Sequence, residues 1–437
     1  MFEFNGRYDG SYKFSKDSRF GFFPSFSLAW RASEENFLAD SKLISNLKFR
    51  ASYGELGNDS GIGAFRYLEF FGFGGPFIDN ASVAQTIASS GLPDPATTWE
   101  KAKTYNLGID IGLLNNALTI ETDIFYKRTS DILTTRALQV PSTFGASLPF
   151  ENIGIIDNKG FEVVLNYRGN IKDFNFFTNF NMGYAKNEII DVAEAEDVDP
   201  LRRLTGRQIG ANTRIGFIAD GLFLTQQEID DLNANAPDGV YQTQNPRPGD
   251  IRYRDITGDG KVDNEDRTFI GNNTVPEFTF GLNLGFEYKQ FDFSALFQGA
   301  TNFDMYLANE AAWAFFNGGK VFDRHLDRAQ IGTDGNVINT NASYPRLTLI
   351  NNAVNERFSS YWITPGDYIR FKNVEIGYTL PQKVVDKIGI NRLRVYLNGR
   401  NLVTWSKIKH LDPENPQIRG WFYPQQRVFN LGINLEF

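Results

Sequence analysis

The densest group of potential metal ligands in the sequence is an acidic segment that runs from residue 255 to residue 266. It reads Asp-Ile-Thr-Gly-Asp-Gly-Lys-Val-Asp-Asn-Glu-Asp and follows the D-x-[DN]-x-[DN]-G pattern of calcium-binding loops. Calcium takes roughly six to eight oxygen ligands, and such a loop supplies them from alternate positions. Gly260 would permit the sharp turn, and the predicted ligands are Asp255, Thr257, Asp259, the carbonyl of Lys261, Asp263 and Asp266.

Two positions depart from the usual calcium loop. Thr257 stands where Asp or Asn is common, and Asp266 replaces the longer, bidentate Glu at the last position. The second change resembles the shorter dockerin-type loop. We expect a structural Ca²⁺, or failing that Mg²⁺, that braces a long loop spanning residues 189–276. The alternative is an acidic, solvated turn without a metal.

Residues suited to catalysis are scarce. There are two histidines, His325 and His410, which lie in different predicted loops and are both expected at the surface. Asp412 follows His410 closely, but no G-x-S-x-G elbow accompanies them. The absence of cysteine excludes thiol catalysis, disulfides and cysteine-based metal sites, and no H-E-x-x-H motif supports zinc. The sequence therefore predicts a protein that is not an enzyme; a hydrolase using His410 is the remote alternative.

The elements that position these residues are predicted to be β-strands, because apolar and polar side chains alternate along the whole chain. From Phe278 to Tyr288, for example, Phe, Leu or Tyr occupies every second position. The alternation changes phase near Lys372 and Asn373, which predicts a β-bulge. We count about twelve strands, several near the ~10 residues that a tilted membrane strand needs. They begin near residues 2, 20, 46, 103, 117, 158, 173, 277, 291, 367, 391 and 426.

The connections alternate between short and long. Short turns are predicted at Leu114–Ala117, around Asn170 and at Lys289–Gln290, whereas the long segments are 58–100, 134–157, 189–276, 307–366 and 406–425. Outer-membrane barrels have short periplasmic turns and long extracellular loops. The last strand alternates in the same way and ends on Phe437. The predicted fold class is therefore all-β, an antiparallel transmembrane β-barrel in the Gram-negative outer membrane with lipid around it.

Composition agrees with a barrel and excludes a nucleic-acid partner. The chain contains 40 Phe, 18 Tyr and 40 Gly residues, a composition that suits strands that face lipid and bend. The mean hydropathy of −0.34 fits as well, because each polar residue facing the lumen cancels an apolar one facing lipid. The net charge of −8, with acids and bases interspersed, is the opposite of the clustered basic surface that binds nucleic acid.

A series of short motifs runs through the chain in a fixed order. They are Phe20-Gly-Phe-Phe-Pro-Ser-Phe-Ser-Leu-Ala-Trp30, Leu47-Lys-Phe-Arg-Ala-Ser-Tyr-Gly54 with Gly57-Asn58, Trp99-Glu-Lys-Ala-Lys-Thr-Tyr-Asn-Leu-Gly108, Asn158-Lys-Gly-Phe-Glu162, Gly249-Asp-Ile-Arg-Tyr-Arg-Asp255, Tyr368-Ile-Arg-Phe-Lys-Asn-Val374, Asn398-Gly-Arg-Asn-Leu402 and Leu411-Asp-Pro-Glu414. In order and spacing the series resembles the C-terminal half of the SusC/RagA class of TonB-linked outer-membrane transporters, and the resemblance covers essentially the whole chain.

The resemblance implies part of a nutrient importer. Members of the class have a 22-stranded barrel, a plug and a TonB box, and no signal peptide, plug or early strands are recognisable in this sequence. Residues 1–437 are therefore expected to be the C-terminal part of the barrel. The intact protein would import an oligosaccharide or peptide, with TonB supplying energy and a SusD-like surface lipoprotein acting as a lid. The alternative is a surface all-β module that binds glycans without transporting them.

Aromatic clusters in the predicted extracellular loops have two interpretations. Sugar rings could stack on them, with Arg202, Arg203 or Arg207 binding acidic groups. The simpler interpretation assigns the aromatic residues to the interface girdle, to loop packing or to contact with the lid. The clusters are Phe65–Phe73, Trp313–Phe316 and Trp421–Tyr423.

Overall fold

The computed structural model describes residues 1–79, 82–89, 91–136, 148–415 and 417–437. The backbone divides into two compact units, one formed by residues 1–199 with 203–209 and the other by 200–202 with 210–437. Each unit is built on an antiparallel sheet of long strands. Among the described residues, seven strands form the sheet of the first unit and five strands that of the second, so the predicted all-β class and the predicted number of about twelve strands are confirmed.

The first unit consists of an antiparallel sheet and a separate hairpin. The sheet has the order β1-β2-β3-β6-β7-β8-β9, and each strand pairs with the next one in that order. The hairpin is formed by β4 and β5. The strands are β1 (Phe2–Gly10), β2 (Phe20–Arg31), β3 (Ile44–Asn58), β4 (Phe71–Asp79), β5 (Ser82–Ser89), β6 (Glu100–Leu113), β7 (Leu118–Thr134), β8 (Glu151–Ile171) and β9 (Phe174–Asp191).

The second unit combines a sheet of long strands with three small ribbons. The long strands have the order β14-β15-β18-β19-β20, and the ribbons pair β10 with β13, β11 with β12 and β16 with β17. The strands are β10 (Ile215–Phe217), β11 (Ala219–Leu222), β12 (Ile251–Tyr253), β13 (Arg267–Phe269), β14 (Phe278–Tyr288), β15 (Phe291–Thr301), β16 (Asp304–Tyr306), β17 (Ile363–Pro365), β18 (Tyr368–Thr379), β19 (Arg392–Ser406) and β20 (Val428–Glu436).

Helices are few and short. The α-helices are α1 (Gln226–Asn235), which begins where the Thr225 side chain accepts a hydrogen bond from the Glu228 amide, and α2 (Gln382–Val385). Among the described residues, no helix is both long enough and apolar enough to cross a membrane. The 3₁₀ segments are Ala32–Glu34, Ala211–Arg214, Asn264–Asp266, Asn309–Ala311, Phe316–Gly318, Asp323–Asp327, Ser360–Trp362 and Asp386–Ile388.

Tight turns connect alternate pairs of long strands, as predicted. Leu114, Asn115 and Asn116 all have left-handed backbone angles, with φ of 53°, 58° and 61°, and they join β6 to β7. Asn adopts this region more readily than other non-glycine residues. Lys289, with φ of 53°, makes the corresponding turn between β14 and β15. The turn predicted around Asn170 lies later, after Ile171, because β8 remains paired through that residue.

The predicted β-bulge is present in β18. Against β15 the register of β18 shifts between Phe371 and Asn373, so that Lys372 is the additional residue. Against β19 the register shifts at the same place, but there two residues of β19, Asn401 and Leu402, lie opposite Lys372. A bulge bends the strand and increases its twist. It explains why the apolar positions change from odd to even numbers along this strand.

The long connections contain structure of their own. The hairpin of β4 and β5 lies in the predicted loop 58–100, and α1 with β10–β13 lies in the predicted loop 189–276. The predicted loop 134–157 is shorter than expected because β8 begins at Glu151, and residues 137–147 lie outside the described part of the chain.

The buried core of the second unit lies mainly among its connections and at the ends of its strands. Ile251 and Tyr253 of β12 have 0% of their surface exposed. Burying one large apolar side chain stabilises a fold by roughly 1.5–3 kcal/mol, so this core fixes the connections in place. Its members are Phe217, Ile251, Tyr253, Val262, Ala300, Phe303, Met305, Leu307, Ala312, Tyr344, Trp362, Tyr368 and Ile408.

Candidate functional site

One face of the first unit's sheet carries a network of charged side chains. The Arg50 guanidinium on β3 contacts the carboxylates of Asp110 on β6 and Asp123 on β7, at 2.7 Å and 2.8 Å. Lys48 adds a contact of 3.6 Å to Asp110. Each side chain is partly exposed. The network therefore places alternating charges across three strands on a face that water can reach.

The second unit has an equivalent network on β15, β18 and β19. Arg394 donates from Nε to Asp292 at 2.9 Å and from Nη2 to Glu375 at 2.7 Å. Asn398 extends the polar face, with contacts to Glu375 and to Asn430 of β20. A planar guanidinium that bridges two carboxylates is a strong, orienting arrangement. These polar residues share one side of their strands.

The opposite sheet faces are apolar and exposed. In the first unit, ring pairs such as Phe4–Phe26 and Tyr53–Tyr105 lie 4.9 Å and 5.0 Å apart on adjacent strands. In the second unit, Leu431 is 76% exposed. An apolar face of this extent would be a liability in water. The sheets therefore have the sidedness of membrane strands, with water on one face and hydrocarbon on the other.

A buried carboxylate organises the connection that leads to the acidic loop. Asp250 is fully buried, and its Oδ1 accepts hydrogen bonds of 2.9 Å from both Asn352 and Asn355. Its Oδ2 accepts from the Arg247 amide at 2.9 Å and from Arg346 at 3.0 Å. A buried carboxylate is tolerated only with such a full set of donors. Asp250 thereby fixes the start of β12, whose end leads into residue 255.

The acidic loop brings three of the predicted ligands together. One carboxylate oxygen from each of Asp255, Asp259 and Asp266 lies within 4.8 Å of the others. The Thr257 hydroxyl is nearby and donates to Asp266 at 3.0 Å and to Asp255 at 3.2 Å. Gly260 has a left-handed φ of 87°, as the predicted sharp turn requires.

Asp263, another of the predicted ligands, has different contacts. Asp263 caps the 3₁₀ turn at residues 264–266 by accepting from the Glu265 amide at 2.8 Å, and it forms an ion pair of 3.2 Å with the Lys261 ammonium. The hydrogen bond from the Glu265 amide lowers the pKa of the Asp263 carboxyl, and the Lys261 ammonium also lowers it. Burial acts in the opposite direction but is outweighed. Asp263 is therefore not part of the three-carboxylate group.

Backbone amides hold the loop closed and favour the charged carboxylates. Asp255 accepts from the amides of Gly258 at 2.6 Å and Gly260 at 2.8 Å. Burial disfavours the charged form of Asp255, but these donors outweigh it, and the pKa of the carboxyl is lowered. Asp266, which is fully buried, accepts from the amides of Ile256 and Asp263 at 2.8 Å and 2.9 Å.

The predicted aromatic clusters have different environments. Phe71 and Phe73 in the first cluster are exposed, and so are Trp421 and Tyr423 in the last. Trp313 instead packs against Trp362 and Phe316, at ring distances of 6.3 Å and 5.1 Å. The middle cluster therefore serves loop packing.

The arginines proposed beside the aromatic clusters contact backbone of their own connection. Arg202 donates to the Glu265 carbonyl at 3.5 Å, and Arg203 donates to the Glu196 carbonyl at 3.4 Å. Arg207 donates its amide to the Leu204 carbonyl at 2.9 Å. The side-chain contacts of Arg202 and Arg203 join segments of the connection to one another, whereas the Arg207 contact is made by its backbone.

The expectation that both histidines lie at the surface is wrong for His325. Only 2% of His325 is exposed, and its ring lies 4.5 Å from that of Tyr344. Nδ1 accepts from the Phe322 amide at 3.0 Å, and Nε2 lies 3.2 Å from the Ala312 carbonyl. Burial lowers the pKa of His325. His410 is exposed, as expected.

Sequence reasoning did not predict the buried ion cluster at Arg370. Arg370 is 2% exposed and donates to Asp412 at 2.6 Å, to Glu414 at 3.0 Å and to the Thr404 hydroxyl at 3.0 Å. Glu414 also accepts from Tyr368 at 3.0 Å. The cluster ties the connection after β19 to the sheet. The charged residues of the cluster belong to two of the sequence motifs, Tyr368–Val374 and Leu411–Glu414. The sequence gives no indication that these two motifs are in contact.

Comparisons with known proteins agree on one family. The family model for the TonB dependent receptor-like β-barrel matches residues 1–402. TonB-dependent receptor P3 of Formosa agariphila is 32% identical over 100% of this chain, which covers 44% of that relative. TonB-dependent receptor SusC of Bacteroides thetaiotaomicron is 29% identical over 100% of the chain and 42% of the relative. The chain thus spans less than half the length of these relatives.

Solved structures show the same fold. The RagAB peptide importer in its open-open state superposes with a TM-score of 0.75, at 23% identity, over 100% of this chain and 45% of that one. The RagAB peptide transporter gives a TM-score of 0.73 at 22% identity over 46% of its chain. The predicted resemblance to the SusC/RagA class is confirmed, and the chain belongs to the TonB-dependent receptor-like β-barrel family of the outer membrane.

Proposed function

We propose that this chain forms the C-terminal barrel part of an importer that carries oligosaccharides or peptides across the outer membrane. The observation that carries the proposal is the two-sidedness of the strands. The Arg50 and Arg394 networks lie on faces that need water, whereas the opposite faces are apolar and exposed. A membrane barrel with a polar interior provides an aqueous path for a hydrophilic solute.

The proposed partners follow from relatives that are longer than this chain. TonB would supply energy through the N-terminal part of the intact protein, and a SusD-like lipoprotein would cover the extracellular side. The relatives named above are TonB-dependent receptors, and the RagAB structures are described as a peptide importer and transporter. They support import as the activity and leave the choice between oligosaccharide and peptide to experiment.

We propose that this chain has no catalytic activity. His325 is buried, and both of its ring nitrogens face backbone groups. Asp412, the acid nearest in sequence to His410, accepts hydrogen bonds from Arg370 and from the Glu414 amide. A hydrolytic site would need a histidine whose acid partner orients it. Activity that disappears in His410→Ala but not in His325→Gln would contradict this proposal.

We also propose that the acidic loop binds a structural divalent cation, calcium in preference to magnesium. The convergence of the Asp255, Asp259 and Asp266 carboxylates supports it, because three like charges at this spacing repel one another unless a cation compensates them. Calcium suits the site better than magnesium, because it accepts irregular oxygen geometry. The cation would brace the connection that contains α1 and β10–β13.

Uptake by intact cells tests the import function. Cells with and without the gene are given fluorescently labelled oligosaccharides and peptides, with and without a protonophore. We expect uptake of one substrate class that requires both the gene and the energised membrane. Unchanged uptake after deletion, together with a purified protein that stays monodisperse without detergent, would instead indicate a surface glycan-binding module.

A further inference from the structure

We infer that the connection between β19 and β20 forms a binding pocket for an acidic oligosaccharide. This connection encloses a cavity of about 870 Å³ within the second unit, a size typical of pockets for small ligands. The lining combines cationic, aromatic and amide side chains: Lys409, Arg427, Trp405, Phe422, Asn401 and Gln425. The inference deepens the proposed import function and rests on it, because the ligand would be the cargo.

Positive charge in the pocket wall is left uncompensated. Within the described part of the chain, neither Lys409 nor Arg427 forms an ion pair. The Arg370 charge, in contrast, is balanced by Asp412 and Glu414. Both cations are exposed, so their attraction for an anion should be long-ranged and should weaken as salt is added. The cavity therefore favours an anionic ligand.

The remaining wall fits a hydroxyl-rich ring. The Asn401 side-chain Oδ1 is buried without a hydrogen-bond partner among the described residues. Its Nδ2 already donates to the Gln425 side chain at 3.2 Å and to the Gln426 carbonyl at 3.0 Å. A buried acceptor without a donor is costly, and a ligand hydroxyl would satisfy it. Phe422 supplies apolar ring surface for the carbon–hydrogen face of a sugar.

The cavity is held in shape before any ligand binds. The Arg370 cluster fixes the connection at Asp412 and Glu414, and Ile408 is buried in the core. Sites whose walls are fixed by packing and ion pairs lose less entropy on binding. An acidic peptide would satisfy the two cations, but it brings few hydroxyl donors and no saturated rings. The wall chemistry favours the acidic sugar.

Calorimetric titration of the detergent-purified protein tests this inference separately from transport. The probes are tetragalacturonate, a sulfated galactose tetrasaccharide without carboxylates, a neutral galactose tetrasaccharide and tetraglutamate. The first two distinguish carboxylate from sulfate recognition. The variants are Lys409→Ala with Arg427→Ala, and Phe422→Ala. Lys407→Ala is the matched control, because Lys407 is exposed on the same connection but does not line the cavity.

We expect at least one acidic tetrasaccharide to bind, and added salt to weaken its affinity. Removing both cations should reduce affinity by about tenfold or more, since each charge-assisted contact contributes that order of binding. Phe422→Ala should weaken binding, and Lys407→Ala should not. Equal affinity for the neutral sugar, tighter binding of tetraglutamate, or unchanged binding in the double variant would overturn the inference. If the acidic tetrasaccharide bound to the protein but cells did not take it up, the proposed import function would be contradicted and the binding pocket would not.

Discussion

At the scale of single residues, the buried Arg370 cluster should decide whether the connection after β19 stays attached to the sheet. Replacing Arg370 with Met leaves Asp412 and Glu414 without their main cationic partner in a buried site. Removing one member of a buried ion pair costs about 3–5 kcal/mol. We expect hydrogen exchange in residues 407–427 to accelerate by a corresponding factor, as measured by mass spectrometry.

The matched control is Arg392→Met. Arg392 and Glu436 form an ion pair of 3.4 Å in which both side chains are more than half exposed. Exposed pairs contribute between roughly zero and 1 kcal/mol, so exchange should hardly change in this variant. Equal effects of the two substitutions would show that the Arg370 cluster does not anchor the connection.

A second residue-scale prediction concerns pH and the pair formed by Glu310 and Arg419. Two hydrogen bonds from Arg419, of 2.8 Å and 2.6 Å, lower the pKa of Glu310 to about 2. Because the folded pKa lies below the usual value of 4.5, the contact stabilises the loop fully above pH 4.5. The stabilisation should disappear as the pH falls through about 2.

Trp421 provides the measurement, because the Arg419 guanidinium lies 3.8 Å from its ring centroid. Its fluorescence should change with a midpoint near pH 2, and Trp421→Phe identifies the signal. In Glu310→Gln the transition should vanish, since the amide does not titrate. A transition near pH 4.5 in the unmodified protein would mean that the ion pair does not form in solution.

The residues that sequence reasoning missed share one property. Arg370 contacts acids 42 and 44 positions away, and Asp250 contacts Asn352 and Asn355 more than 100 positions away. Such contacts leave no local spacing pattern. The acidic loop, in contrast, was predictable because its three converging carboxylates lie within twelve residues and the turn between them needs Gly260.

At the scale of elements, the acidic loop yields a prediction about metal binding. If a divalent cation holds Asp255, Asp259 and Asp266 together, calcium should protect the loop from proteolysis. We expect cleavage between residues 189 and 276 to slow in millimolar calcium and to accelerate in chelator. Magnesium should protect less well, because it demands stricter geometry.

Two matched variants distinguish protection by a bound cation from protection by the hydrogen bonds of the loop. Asp259→Asn removes one charge from the group, and Asp238→Asn removes a neighbouring acid that the group does not include. The first should weaken protection by calcium, and the second should leave it unchanged. Identical cleavage in calcium and in chelator would exclude the metal and leave a loop held by backbone amides.

Most strand starts were predictable to within about three residues, although β8 begins at Glu151 and not near residue 158, whereas the interior of the long connections was not predictable. Period-two alternation reports the two-sided environment of each strand directly, and even the bulge at Lys372 follows from a change of phase. The short strands β10–β13 contain three or four residues each, too few for a periodic signal. They form because Ile251 and Tyr253 are buried by distant residues of the same unit.

At the scale of the whole molecule, the proposed function requires one face of each long strand to contact water and the other face to contact lipid. Leu431 lies on the exposed apolar face of β20, and its neighbour Asn430 lies on the polar face, where it donates to Asn398. An arginine on the lipid face at mid-membrane depth costs about 2–4 kcal/mol, whereas substitutions on the lumen face are tolerated.

This difference gives a paired test. Leu431→Arg should lower the free energy of unfolding, measured by urea titration of the protein refolded in lipid vesicles, by an amount in that range. Asn430→Arg should cost only the loss of one hydrogen bond, about 1 kcal/mol. Both variants add the same charge one residue apart, so total charge and local strand propensity are matched. If Asn430→Arg proved the more damaging change, the polar faces would be the ones in hydrocarbon, and the aqueous path proposed for import would have no lining.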